Sequence, residues 1–224
     1  MRTFSRNATA PVQDLLARLA ERPEPQEYRD LMVQIGEALA LAIHARLRET
    51  SRVLLICTNE DADFLAKGIL EGLERQGCPR ISLACFWNDR KRMGSLEVAP
   101  IVRRYVEPAE EFDVFVVVKS VISSGCVVRT NISEIVHEYN PHQIIVATPV
   151  IRAGAIEDLE SDFDDSLVKR FEYIWFAQDD QINENGELIP GVGGSVYELE
   201  GIGTQATKNS FVPELIKNRR AVLL

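Results

Sequence analysis

The stretch that decides the fold is FDVFVVVKSVISSGCVVRTN, residues 112–131. VFVVV is a continuous β-branched run, which implies a strand buried on both faces, as in the interior of a parallel sheet. The small-residue turn Ser123-Ser124-Gly125 follows, and then VVRTNISEIVHEYN, whose apolar residues recur at helical spacing. In a strand, turn and helix arranged this way, backbone N–H groups at the helix N-terminus converge on an anion. The helix dipole favours negative charge there, and serine hydroxyls add donors. The turn therefore reads as a phosphate cradle. Taken without its surroundings, the same turn also reads as a plain helix cap.

Outward from this stretch the pattern alternates. Leu31, Ile35, Leu39, Ala42, Ile43 and Leu47 recur at three- and four-residue spacing, predicting a helix over 28–48 with one buried face. RVLLICT reads as a short buried strand, EDADFLAKGILEGLERQG as a helix stopped by Gly77, and RISLACFW as the next strand. NDRKRMGSLEVAP carries loop residues and a basic cluster, and IVRRYVE is a short strand before Pro108. Downstream, QIIVATPV and FEYIWFAQ are strands flanking a helix in AIEDLESDF. Such alternation predicts an α/β fold, with a parallel central sheet and flanking helices. Pro23 and Pro25 disfavour helix on either side and set off an amphipathic segment near 11–20. Residues 1–27 are thus an N-terminal extension and 28–178 the α/β core. Residues 179–224 begin with the Gly-rich NENGELIPGVGGSVYELEGIG and should form a small irregular or hairpin subdomain with a tail. Its glycines lack the preceding strand and following helix of a dinucleotide fingerprint.

The 224 residues, 46% hydrophobic, suffice for one sizeable core. Against 25 Lys and Arg stand 34 Asp and Glu, a formal charge of −9, which argues against a surface that coats nucleic acid or anionic membrane. The four cysteines show no C-x-x-C pairing, so neither a zinc site nor a disulfide framework is indicated. Reduced thiols in the cytoplasm are expected. No apolar run approaches the roughly 20 residues that span a bilayer.

The string VKSVISSGCV, residues 118–127, resembles the phosphoribosyl-pyrophosphate loop of the type I phosphoribosyltransferases. That loop consists of a hydrophobic strand, two acids, two hydrophobics, and then Thr/Ser-Thr/Ser-Gly-Gly-Thr. The order of elements over roughly residues 28–200 is similar to that family as well. The resemblance implies that Ser123, Ser124, Gly125, Cys126 and Val127 hold a 5′-phosphate. Lys119 and Ser120 take the positions of the acids that hold the ribose hydroxyls. Thr58, Asn59, Glu60 and Asp61 fall on the pyrophosphate loop, and the Gly-rich C-terminal region on the hood that closes over the acceptor base. Magnesium is implied only if the chain is catalytic.

The departures from the family pattern bear on chemistry. Lys119 cannot accept hydrogen bonds from ribose hydroxyls, and it places positive charge where an oxocarbenium-like transition state develops. Losing one such electrostatic contact typically costs about 10² to 10³ in rate. CTNEDAD has no glycine for close backbone approach, and Glu60 and Asp61 repel pyrophosphate unless a metal intervenes. Two readings follow. The chain is a divergent transferase, with Glu60 or Asp61 recruiting Mg²⁺ in place of the lost pair, or it is a catalytically inactive nucleotide-binding, regulatory or assembly subunit. In both, the small-molecule partner is a phosphate ester or nucleotide, and a homodimer or other protein partner is expected by analogy.

Other residues carry two readings each. Arg90, Lys91 and Arg92, with Arg103 and Arg104, form either a polyphosphate-steering patch or a solvated loop. Trp175 and Phe176 either stack on a base or fill the core. Asp162, Asp164 and Asp165 read as a solvated acidic turn, since their spacing does not match a calcium loop. His44, His137 and His142 receive no catalytic role. Phe211, Leu215 and the terminal apolar triplet suggest a tail that docks on a partner chain.

Overall fold

A computed structural model describes residues 1–78, 81–93, 96–184 and 186–222. The chain opens with β1 (Thr3–Phe4), α1 (Ala10–Ala20) and α2 (Pro25–His44), then β2 (Val53–Thr58). A π turn, Ala62–Ala66, runs into α3 (Lys67–Arg75), followed by β3 (Ile81–Asn88), β4 (Lys91–Met93), β5 (Leu96–Val98) and β6 (Ile101–Val106). Next come β7 (Val114–Val118), β8 (Val121–Ile122), α4 (Cys126–Val136), β9 (Gln143–Arg152), α5 (Ala155–Glu160), α6 (Asp165–Val168) and β10 (Phe171–Asp179). The C-terminal region holds the hairpin β11 (Gln181–Ile182) and β12 (Leu188–Ile189), α7 (Val196–Leu199), a 3₁₀ turn at Lys208–Ser210, and α8 (Glu214–Val222).

The continuous apolar strands are buried on both faces, as their composition requires. Along β2, Val53, Leu55 and Cys57 enter one core with α1, α2 and α3, while Leu54 and Ile56 enter a second core with α4 and α5. Along β7, Val114, Val116 and Val118 face the first core, and Phe115 and Val117 the second. The main sheet runs β1-β10-β9-β7-β2-β3-β6, with β8 added beside β9. Neighbours from β10 to β3 pair in parallel; β1 and β6 are antiparallel edges. The chain winds outward from β2 to β3 and β6, returns to β7 on the other side of β2, and winds outward again. Strand order thus reverses between β2 and β7, the place where ligands bind beyond the strand ends in open α/β sheets.

Local chemistry explains where elements begin and end. Pro25, whose ring is unwelcome inside a helix, instead opens α2, where its missing N–H costs nothing. Helices α2 and α3 touch backbone to backbone. A Cβ on Gly36 would lie 2.3 Å from the Leu65 carbonyl oxygen, and one on Gly68 2.2 Å from that of Val33. Residues 1–27 pack into the body of the fold, with Leu16 and Leu19 fully buried and β1 on the edge of β10. Arg2 grips Asp179 through two hydrogen bonds of 2.8 and 2.7 Å and donates to the Gly191 carbonyl, so the N-terminus also fastens the Gly-rich hood. The basic cluster, read as loop, supplies the hairpin β4–β5; Gly94 and Ser95 lie outside the described residues.

The tail folds onto its own chain. Asp63 accepts from the amides of Glu214 and Leu215 at 2.9 and 2.8 Å, which starts α8, and Ile216 is fully buried. Trp87 Nε1 donates to the Phe211 carbonyl at 2.7 Å. Leu223 and Leu224 of the terminal triplet lie outside the described residues. No helix among the described residues is long and apolar enough to cross a membrane.

Candidate ligand-binding site

At the reversal point β7 ends at Val118, and β8 holds residues 121–122 against β9. The turn Ser123-Ser124-Gly125 then feeds α4. Gly125 is the N-cap, with φ +73° and no side-chain cap. A Cβ there would meet Leu159 at an ordinary 3.6 Å, so the position demands glycine for its left-handed backbone rather than for space. The amides of the first turn of α4 have no acceptor within the helix. Arg152 Nε steadies the turn by donating to the Ser123 carbonyl at 2.9 Å.

This turn forms one wall of a cavity of about 420 Å³, whose other walls are the hood and the ends of β2 and β3. Every residue from Lys119 to Val128 lines it, so Ser123, Ser124, Gly125, Cys126 and Val127 lie together on one wall. Ser124 is exposed, Ser123 and Val127 half-buried, and Gly125 and Cys126 buried. Leu188, Val192, Val196 and Tyr197 give the hood side an apolar lining.

The loop at the end of β2 is arranged differently. Of Thr58, Asn59, Glu60 and Asp61, only Glu60 lines the cavity, and all four are buried. Thr58 Oγ1 donates to Asp61 Oδ2 at 2.7 Å, and the Ser120 amide donates to Asp61 Oδ1 at 3.3 Å. Asn59 Nδ2 donates to the Lys208 carbonyl at 2.8 Å, which ties the loop to the C-terminal region. Lys119 Nζ donates to Asp61 Oδ2 at 2.7 Å and to Ser120 Oγ at 3.1 Å, and lies 3.5 Å from Glu60 Oε1. Lys208 Nζ completes the cluster at 3.4 Å from Glu60 Oε2 and 2.9 Å from the Asn88 carbonyl oxygen.

The cluster is therefore two ammonium groups interleaved with two carboxylates. Burial works against the charge on Lys119, but Asp61 and Glu60 outweigh it and raise its pKa above the usual lysine range. Burial likewise pushes Glu60 up, yet Lys119 and Lys208 more than offset it and hold its carboxyl below the usual range. Glu200, fully buried nearby, goes the other way. Burial and then the charge of Asp61 raise its pKa well above the ordinary value, and neither of its carboxyl oxygens has a hydrogen-bond partner among the described residues. Burial thus favours the protonated form of Glu200, in contrast to the charged cluster beside it.

Magnesium does not fit these donors as they stand. Lys119 Nζ occupies the space between the two carboxylates that a cation would need, and Lys208 takes the remaining side of Glu60. Among the described residues, no group of three metal-binding side chains forms.

Of the basic cluster, Arg90 reaches the cavity, where it is paired with Glu97 at 3.0 Å. Lys91 pairs with Asp89. Arg103 stacks over Trp87, and Arg104 pairs with Glu134 on α4 and with Glu138 just past its end. Neither Trp175 nor Phe176 lines the cavity: Phe176 is buried in the first core and Trp175 packs against the second. Tyr197 is the aromatic residue on the wall, 5.9 Å from Lys208 Nζ. Asp162 pairs with Arg129, and Asp164 caps α6. Sequence reasoning missed Lys208, Asn88 and Tyr197, because none lies in a motif and each reaches the site through the fold.

No protein-family model and no curated protein matches this sequence. Among solved structures, the chain is similar to the AQ2163 protein from Aquifex aeolicus, with TM-score 0.67 and 14% identity over 88% of this chain and 97% of that one. It also matches the hypoxanthine-guanine phosphoribosyltransferase of L. donovani (TM-score 0.44, 11% identity, 69% of this chain and 84% of that one). A hypoxanthine phosphoribosyltransferase from Staphylococcus aureus matches with TM-score 0.43 and 10% identity over 67% of this chain and 74% of that one. At 14% identity the first likeness is one of fold alone. The strand order reversing between β2 and β7, the S-S-G turn at that reversal and the hood above it give this chain a type I phosphoribosyltransferase-like fold.

Proposed function

We propose that the chain binds a 5′-phosphorylated ribose, free or within a nucleotide, between loop 119–128 and the hood, without magnesium and without phosphoribosyl transfer. The phosphate sits against the turn 123–127, where the amides of the first turn of α4, the helix dipole and two serine hydroxyls favour an anion. A cavity of about 420 Å³ falls within the usual size of small-molecule sites. Its apolar hood wall, with Tyr197, suits a flat base.

One observation carries the non-transferring reading: Lys119 and Lys208 hold Glu60 and Asp61 in buried ion pairs. Those pairs close the loop at the end of β2 and remove the acids from metal binding. An ammonium at position 119 also opposes the positive charge that builds on the sugar during transfer. The test combines calorimetry with nucleoside 5′-monophosphates and an assay for pyrophosphate release from phosphoribosyl pyrophosphate, with purine and pyrimidine bases and with or without Mg²⁺. Micromolar to millimolar monophosphate binding unchanged by Mg²⁺, with no pyrophosphate release, is expected. Mg²⁺-dependent release would overturn the reading.

A further inference from the structure

The hood wall of the cavity is a stretch of chain with little stiffness of its own. Val192 and every residue from Gly194 to Glu198 line the cavity. Gly191, Gly193 and Gly194 all hold positive φ, at +56°, +93° and +143°, and glycine gives up more backbone freedom on folding than any other residue. The helix α7, which completes the wall, has only four residues. Where the wall runs must therefore be fixed from outside it, and two consecutive residues near the start of α2 are placed to do so. Tyr28, fully buried, donates its hydroxyl to the Val192 carbonyl at 2.8 Å, where the wall begins. Arg29 donates from Nε at 2.8 Å, and again from a terminal nitrogen, to the Glu200 carbonyl just past the wall's end. Its guanidinium lies over the Phe64 ring, 5.5 Å from the centroid, which steadies the donor. Arg2 and Asp179 hold Gly191 just ahead of the wall, so the wall leaves the sheet from a fixed point. Neither Tyr28 nor Arg29 lines the cavity.

Resting on the reading of the cavity given above, we propose that Tyr28 and Arg29 are positioning residues for the ligand. Without touching it, they hold the two ends of the hood wall and so set the affinity for the sugar and base. The phosphate turn is independent of them, since it is built between β8 and α4 and steadied by Arg152. A wall released at either end takes other paths, and only the molecules that keep it in place are ready to bind. The apparent dissociation constant then rises as that fraction falls. Loss of one hydrogen bond of ordinary strength shifts such a balance about three- to tenfold.

The experiment is calorimetric titration of the wild-type protein, Tyr28→Phe and Arg29→Met with inorganic phosphate, ribose 5-phosphate and the four common ribonucleoside 5′-monophosphates. Tyr28→Phe removes one oxygen, and Arg29→Met keeps an aliphatic stem while removing the donors. In each variant the tightest-binding organic phosphate should lose about three- to tenfold in affinity, while inorganic phosphate binds as it does to the wild type. Unchanged affinity for the organic ligand in either variant would overturn the inference and leave the cavity reading intact. An equal loss for inorganic phosphate and organic ligand would overturn it too, because it would mark a general loosening of the fold rather than a displaced wall. If no organic phosphate bound the wild type better than inorganic phosphate, the cavity reading itself would fail and the inference with it. Each variant releases one end of the wall, so if one of them does not fold the other decides.

Discussion

Two strand-end loops flank the reversal point of the sheet, and they have opposite fates. The loop after β7 stays open: its small residues line a cavity, and its left-handed Gly125 presents the start of α4. The loop after β2 is closed, with Asp61 fully buried under Lys119 and Asn59 bonded to the C-terminal region. Both occupy the position where α/β sheets bind ligands. Topology offers the place, and local charge decides whether it is used: hydroxyls and glycine leave a loop available to an anion, whereas adjacent acids draw in lysines that seal it.

The largest effect should come from breaking the closed loop. Lys119→Met removes the partner of a buried carboxylate and should destabilise the protein by about 3–5 kcal/mol, read by denaturant unfolding at pH 7. A loss under about 1 kcal/mol would mean that the pairs do not hold this loop shut. Next is the open loop. Gly125→Glu forces a side chain into φ +73° and places a carboxylate at the proposed phosphate site. Phosphate-ester affinity should fall more than about 100-fold, close to 2.7 kcal/mol by calorimetry; unchanged affinity would place the site elsewhere.

Smaller in size is the effect of Glu200→Gln, which sharpens the electrostatic side of the comparison. A carboxyl whose folded pKa is raised holds its proton when the unfolded chain has lost it, so stability falls as pH climbs above the unfolded value near 4.5. The glutamine cannot ionise, so between pH 4 and pH 7 the variant should lose less stability than the wild type. Thermal unfolding across this range checks the sign, and equal slopes in both proteins would contradict a raised Glu200. The smallest effect is expected outside both loops. Arg129→Ala breaks a pair with Asp162 that is roughly a third exposed, and should cost no more than about 1 kcal/mol in the same unfolding measurement.

Sequence was most informative where structure is local. VFVVV, the S-S-G turn and the helix after it are contiguous, and their periods and residue types specify strand, turn and helix without reference to the rest of the chain. The same holds for β2, β3, β9 and β10, whose mainly apolar runs mark strands of the sheet. The closing of the second loop was not legible, because Lys208 lies 148 residues from Glu60 and carries no motif. Nor could spacing reveal that Lys119 turns towards Asp61, since that depends on β2 and β7 being neighbours. The base-stacking role considered for Trp175 and Phe176 fails for a related reason: Phe176 fills the first core, Trp175 packs against the second, and the hood supplies Tyr197 to the cavity instead.

The most direct test of an open loop beside a closed one is an amide nuclear magnetic resonance titration with ribose 5-phosphate in Mg²⁺-free buffer. The account predicts saturable shifts at the amides of Ser124, Gly125, Cys126 and Val127, with those of Cys57 to Asp61 moving far less. Shifts centred on residues 57–61, or appearing only when Mg²⁺ is added, would contradict it.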